Sequence, residues 1–253
     1  MFAFHDTRGA IDVAFTDRHG GISGGPYASL NLGGRGDDRD AVEQNTGILV
    51  DAFTGGPRST PADRPAARLV RMHQVHGGEV RVIGPEEVNK ASVVSADETD
   101  AIVTRESLVV LMVRAADCVP VLLADVDRRV VGAAHAGRPG MVAGIVPNTV
   151  RAMRAIGAEQ LVAWVGPHVC GACYEVPEEM RAEVATAVPE SRAETSWGTP
   201  AVDIGAGVRA QLARDDVEIV DAARCTMEDE DLFSYRRQGA RSGRNAGMIW
   251  VRE

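Results

Sequence analysis

The sequence predicts an α+β fold of the mixed kind: one layered domain over residues 1–253, with mixed or antiparallel sheets flanked by helices. Three observations predict it. Apolar, strand-like runs come in adjacent pairs, and Asp127-Arg128 offers a hairpin turn between the runs at 119–125 and 129–135. Segments with helical spacing do not alternate one for one with strands, as a doubly wound sheet would require. Finally, 253 residues with an apolar fraction of 45% can bury a sizeable core, and no repeat or long low-complexity segment divides the chain.

Taken in order, AIDVAFT at 10–16 reads as a strand, and 17–37 is a glycine-rich loop. Asp37 or Asp38 can cap a helix running to about Phe53. Residues 55–65, rich in glycine, proline and polar residues, read as a mobile surface loop. Residues 68–72 and 79–83 look like strands on either side of a turn at His76, with further strands near 100–104, 108–114, 119–125 and 129–135. Between Gly140 and Ile156, the residues Met141, Ile145, Val146, Val150 and Met153 fall at helical spacing. Pro147 must kink that helix or sit in its first turn, and Gly157 ends it. A strand at 161–165, helices at 178–188 and 203–213, and strands at 218–220 and 248–251 complete the chain.

Composition narrows the function classes. The 27 basic and 36 acidic residues leave a formal charge of −9, which argues against sequence-independent nucleic-acid binding. A small anion held by a few local arginines is still allowed. The longest apolar stretch, over 107–124, is broken by Arg114 and Asp117 and is too short and too charged to span a membrane. MFAFHDTRGA has no basic region followed by an apolar segment, so no signal peptide is expected. The expected location is the cytoplasm, where Cys118, Cys170, Cys173 and Cys225 would be thiols or metal ligands.

Three short motifs carry the chemistry: Gln74-Val75-His76-Gly77, Ala116-Asp117-Cys118-Val119-Pro120 and Ala134-His135-Ala136-Gly137. Each borders an apolar run and places one metal-ligating side chain at a strand end. Two imidazoles and a thiolate leave one tetrahedral position open, as catalytic zinc requires. Taken singly, each residue has a plainer reading. A cysteine among apolar neighbours is usually core, and a histidine in a His-Gly-Gly turn is usually just exposed. Asp117 needs a reason to lie in an apolar run, and Pro120 places Cys118 at the start of a strand. His73, three residues before His76, is a competing ligand.

Further blocks surround these motifs. They are Arg18-His19-Gly20-Gly21-Ile22-Ser23, Tyr27-Ala28-Ser29-Leu30-Asn31-Leu32-Gly33, Asp100-Ala101-Ile102-Val103-Thr104, Gly166-Pro167, Cys173-Tyr174-Glu175-Val176, Cys225-Thr226, Phe233-Ser234-Tyr235-Arg236-Arg237 and Ser242-Gly243-Arg244. In this order, over nearly the whole chain, they resemble the YfiH-like family, also called the laccase-domain or multicopper polyphenol oxidase family. The resemblance implies zinc held by His76, Cys118 and His135, with copper as the alternative metal. It also implies phosphorolysis of purine nucleosides (adenosine, inosine, guanosine or methylthioadenosine) with phosphate as co-substrate, and adenosine deamination as a companion activity. Cys118, Asp117 and His135 are then the expected catalytic group. Arg18, Ser23, Asn31, Arg138, Arg236, Arg237 and Arg244 are expected to bind substrate. The chain departs from the family at Arg138-Pro139, where Trp-Arg is usual.

Three rival readings stand beside this one. A copper phenol oxidase needs a second, histidine-rich cluster, and the chain has six histidines in all. A cysteine hydrolase, such as one editing peptidoglycan precursors, would use Cys118 as nucleophile and His135 as base. A purely structural metal site would need a fourth ligand, which Cys170, Cys173 or Cys225 could donate. Cys170-Gly-Ala-Cys173 has C-x-x-C spacing but no second cysteine pair, and these thiols read as structural.

Overall fold

The computed structural model describes residues 1–34, 36–55, 67–88 and 93–253. The chain opens with a hairpin of β1 (Phe2–Arg8) and β2 (Ile11–Thr16). The glycine-rich loop leads to α1 (Arg39–Thr54), capped by the Asp38 carboxylate on Asp40 N–H at 2.8 Å and ended by Gly55 at φ 104°. The expected loop at 55–65 lies, beyond Gly55, outside the described residues. Next come β3 (Arg68–Met72), β4 (Val80–Val82), α2 (Pro85–Val88), β5 (Val93–Ala96), β6 (Ala101–Thr104), β7 (Val109–Ala115), β8 (Val119–Asp125) and β9 (Val130–Ala136). The helix expected over 140–156 is two helices, α3 (Arg138–Val142) and α4 (Ile145–Ala155), broken at Gly144 with φ 77°. Pro147 sits in the first turn of α4, where it costs no helical hydrogen bond. The rest is β10 (Val162–Val165), α5 (Glu178–Ala187), β11 (Arg192–Glu194), β12 (Pro200–Val202), α6 (Ile204–Arg214), β13 (Glu218–Asp221), α7 (Tyr235–Gln238) and β14 (Asn245–Val251).

Two mixed six-stranded sheets result, with orders β1-β2-β14-β7-β3-β5 and β13-β10-β8-β9-β6-β4. They pack face to face. Ile11, Val13, Phe15, Leu111 and Ile249 from the first sheet meet Ile102, Leu122, Ala124 and Trp164 from the second. On the outer face of the first sheet, Ala14, Val110, Met112 and Met248 pack against Leu49 and Phe53 of α1. On the outer face of the second, Val119, Val121, Leu123 and Ala163 pack against Met141, Ile145, Val150, Val208 and Leu212. The central strands are therefore buried on both faces, which is why β8 and β9 read as continuous apolar runs without alternation. Among the described residues no helix is long and apolar enough to cross a membrane.

The connections place the site. The chain leaves the first sheet for the second three times: from β3 to β4 through 73–79, from β5 to β6 through 97–100, and from β7 to β8 through 116–118. The strands flanking the His76 turn thus lie in different sheets. His76, Asp100, Asp117 and Cys118 all sit on these crossovers. Three of the crossover residues, His76 (φ 64°), Glu98 (φ 40°) and Asp117 (φ 86°), are held at positive φ, a backbone cost that concentrates at functional sites.

Candidate active site

His76, Cys118 and His135 converge, with their ligand atoms all within 4.8 Å of one another. His135 is the sixth residue of β9 and is buried, Cys118 immediately precedes β8, and His76 caps the cluster from the solvent side. Cys118 Sγ lies 3.8 Å from His76 Nε2, and the two imidazoles meet edge to face with centroids 4.8 Å apart. A tetrahedral zinc with ordinary bond lengths separates sulfur from imidazole nitrogen by about 3.6 Å, so the donor set fits such an ion. Gly137 makes the approach feasible: a Cβ there would stand 2.7 Å from His76 Cδ2 and 3.2 Å from Cys118 Sγ. His73 is not part of the cluster.

Asp100 organises this group, and sequence reasoning missed it, placing it only in a short acidic strand. Its Oδ2 accepts N–H bonds from Val75 (3.1 Å) and Gly77 (2.6 Å), and its Oδ1 accepts from His76 N–H (3.0 Å) and His135 Nδ1 (2.8 Å). One buried carboxylate thus shapes the His76 turn and fixes the His135 tautomer, leaving Nε2 as the nitrogen available to a metal. Burial raises the Asp100 carboxyl, but the bonds from His135, Gly77 and His76 hold it below the usual carboxylate range.

The cluster is electrostatically coupled. Burial raises the Cys118 thiol, but the charge and hydrogen bonding of His135, with help from His76, outweigh it and bring it down to about 6. Burial lowers His135, yet the Cys118 thiolate and the Asp100 carboxylate raise it to about 9. Without a metal the pair is therefore a thiolate and an imidazolium near neutral pH.

A cavity of about 590 Å³ opens over the cluster and is lined by His73, Gln74, Arg114, Asp117, Tyr174, Tyr235, Arg236 and Arg244, among others. A smaller one of about 240 Å³ shares His76, Asp117, Cys118 and Tyr174 with it and adds Arg138, Pro139, Val169 and Ile204. Of the arginines named from sequence, Arg138, Arg236 and Arg244 line these cavities. Arg236 stacks 4.4 Å over the Tyr174 ring and donates to the Glu175 carbonyl at 2.9 Å. Arg244 donates to the Ser242 and Gly243 carbonyls at 2.8 and 2.9 Å.

Arg237, Arg18, Ser23 and Asn31 are not brought to either cavity. The Arg237 guanidinium donates to the carbonyls of Thr226, Met227, Asp229 and Leu232. Arg18 packs over Phe233 and donates to the Ala28 carbonyl. Ser23 and Asn31 both donate to Asp37, and Asn31 Oδ1 accepts the Arg244 N–H at 2.9 Å, so its link to the site runs through Arg244. Asp117 lines both cavities, but its oxygens accept from Thr226 Oγ1 (2.7 Å) and Arg236 N–H (2.6 Å), which pins the C-terminal segment to the crossover.

Arg114 was visible in the sequence only as an interruption. A charge inside an otherwise buried strand was the available signal. Its guanidinium donates to the Met72 and Leu32 carbonyls at 3.2 and 3.4 Å and fits because Gly33 has no side chain. Burial, then the neighbouring Arg71 and Arg244, lower its pKa, a sign of clustered positive charge that favours an anion.

Two sheets packed face to face, with a His–Cys–His cluster where the chain passes between them, define an α+β protein of the laccase-domain class. Residues 12–252 match the family described as multi-copper polyphenol oxidoreductase laccase, and the chain belongs to that family. It is 48% identical over 257 residues to a purine nucleoside phosphorylase of Streptomyces coelicolor, covering 99% of this chain and 100% of the relative. It is 37% identical over 247 residues to the Escherichia coli purine nucleoside phosphorylase YfiH, covering 95% and 94%. The crystal structure of YlmD from Geobacillus stearothermophilus superposes with a TM-score of 0.84 at 30% identity, covering 96% of this chain and 93% of that one.

Proposed function

We propose that this chain is a zinc-dependent purine nucleoside phosphorylase, that residues 1–253 act as one catalytic domain, and that adenosine deamination is a side reaction. The observation that carries the reading is the cavity itself, which joins the three-donor metal centre to a wall of Arg114, Arg236 and Arg244. The names of the relatives, purine nucleoside phosphorylases in several bacteria, point the same way.

His76, Cys118 and His135 would hold the ion, which when bound supplies a Lewis acid beside the reacting groups. Asp100 keeps the His135 proton on Nδ1, so Nε2 presents a lone pair. The guanidinium wall holds phosphate through planar, charge-assisted hydrogen bonds. The smaller lobe, with Pro139, Val169, Ile204 and the Tyr174 ring, buries the purine. Arg138-Pro139, the departure from the family pattern, lies in that lobe and so bears on base preference. A leaving purine must take up a proton. His73 lines the cavity outside the metal cluster, and we assign it that delivery.

A multicopper site would need more imidazoles than the cavity offers. His5 stacks on Phe2, His19 pairs with Asp231 at 2.8 Å, and His168 donates to the Gly166 carbonyl at 2.7 Å. Among the described residues only His73, His76 and His135 reach the cavity.

The test is chromatography of adenosine incubated with zinc-loaded protein, with and without phosphate. Adenine and ribose 1-phosphate appearing only with phosphate is the expected result. Inosine in both conditions would make deamination the principal reaction, and no product in either would overturn the proposal.

A further inference from the structure

We propose that Cys170, Cys173, Cys225 and Glu228 form a second zinc site, separate from the His76–Cys118–His135 centre, that braces one wall of the cavity. The sequence shows a single C-x-x-C. The fold supplies its counterpart, Cys225-x-x-Glu228, from a segment 55 residues further on. The four donor atoms lie within 4.8 Å of one another and share no residue with the first centre. Three sulfurs and a carboxylate are a complete tetrahedral set, and sulfurs around such a zinc stand about 3.8 Å apart. Three thiolates also select for a thiophilic ion over calcium or magnesium.

The backbone is folded for this convergence. Cys173 N–H and Tyr174 N–H both donate to the Cys170 carbonyl at 3.0 Å, forming a tight turn that turns both sulfurs to one side. The other half is a similar turn, with Glu228 and Asp229 N–H donating to the Cys225 carbonyl at 3.2 and 2.9 Å. The halves are already joined: Cys170 N–H donates to Cys225 Sγ at 3.4 Å, Cys173 Sγ–H donates to Glu228 Oε1 at 3.4 Å, and Cys225 bridges to His168.

The position gives the site a role. Tyr174, next to Cys173, lines both cavities and carries Arg236 on its ring. Thr226, next to Cys225, holds Asp117. An ion tying the two turns together fixes both of these groups.

The experiment is zinc stoichiometry under reducing conditions, by competition with a chromophoric chelator. Wild type is expected to bind about two equivalents per chain, and Cys118→Ala and Cys173→Ser about one each, since each keeps the other site. The equivalent retained by Cys173→Ser also reports that it is folded. In Cys118→Ala protein, zinc should shield Cys170, Cys173 and Cys225 from alkylation, read by mass spectrometry. This second readout needs no change in the cluster. Failure of Cys118→Ala to bind zinc, or absence of shielding, would overturn the proposal.

Discussion

Asp100→Asn changes one atom, and neither orientation of the new amide satisfies its surroundings. If the amide NH₂ takes the Oδ2 position, it faces the N–H groups of Val75 and Gly77, which now meet a donor. These donors are part-buried, so each left unsatisfied costs about 1–2 kcal/mol, the low end of the buried range, and the pair about 2–4 kcal/mol. At roughly 2–4 °C per kcal/mol for a chain of this size, the midpoint of thermal unfolding should fall by about 4–16 °C. If the NH₂ instead takes the Oδ1 position, it orphans only His76 N–H but also faces His135 Nδ1. His135 must then carry its proton on Nε2, the nitrogen a metal needs, and zinc affinity should drop by about 10–100-fold. Calorimetry of the metal-free protein and a zinc competition titration distinguish the two orientations. A variant that melts within about 2 °C of wild type and binds zinc unchanged would refute this account of Asp100.

Other expectations follow from the same geometry. In metal-free protein, alkylation of Cys118 should follow a thiolate midpoint of about 6, and His135→Gln should move it upward. The lowered thiol stabilises the fold above its ordinary value and loses that gain as pH falls through about 6. The raised imidazole stabilises below its ordinary value and loses its gain as pH rises through about 9. One gain grows while the other shrinks, so the stability difference between wild type and a Cys118→Ala/His135→Ala variant should stay nearly level from pH 6.5 to 9, as denaturant titrations would show. Arg114→Gln should raise KM for phosphate about tenfold or more, a charge-assisted bond being worth roughly 1.5–3 kcal/mol, while KM for nucleoside moves little. Equal changes in both constants would place Arg114 elsewhere in the reaction. Gly137→Ala should weaken zinc binding, because its Cβ would stand 2.7 Å from the His76 ring. Unaltered affinity would mean the turn relaxes freely.

Much of the fold could be read from periodicity. The runs at 119–125 and 129–135 form the predicted hairpin, and the helix caps at Asp38 and Gly157 fall where their residue types suggest. β1 was not read, because FAFHDTR is a half-buried edge strand with charges along it. The pairing of sheets was hidden for a different reason. The runs on either side of His76 look like one hairpin, and nothing local shows that a chain crosses from one sheet to another. The three residues of the His76–Cys118–His135 cluster were legible because each sits in a short motif at a strand end. Asp100 and Arg114, beside that cluster, and Glu228, in the second one, were less visible. Their roles depend on partners 23 to 82 residues away, a separation that composition and spacing do not encode.

β14 lies between β2 and β7, at the middle of the first sheet, although it follows every other strand in sequence. Until residues 245–251 leave the ribosome, that sheet exists as a detached hairpin and a three-stranded remnant, each with an apolar edge open to pairing. The segment delivered just ahead of β14 carries Arg236 and Arg244, held by Asp117 and Asn31. Closing the sheet and installing two guanidiniums of the cavity wall are therefore one late event. A nascent chain stalled before Asn245 would hold His76, Cys118 and His135 and still have neither a closed sheet nor a finished cavity wall.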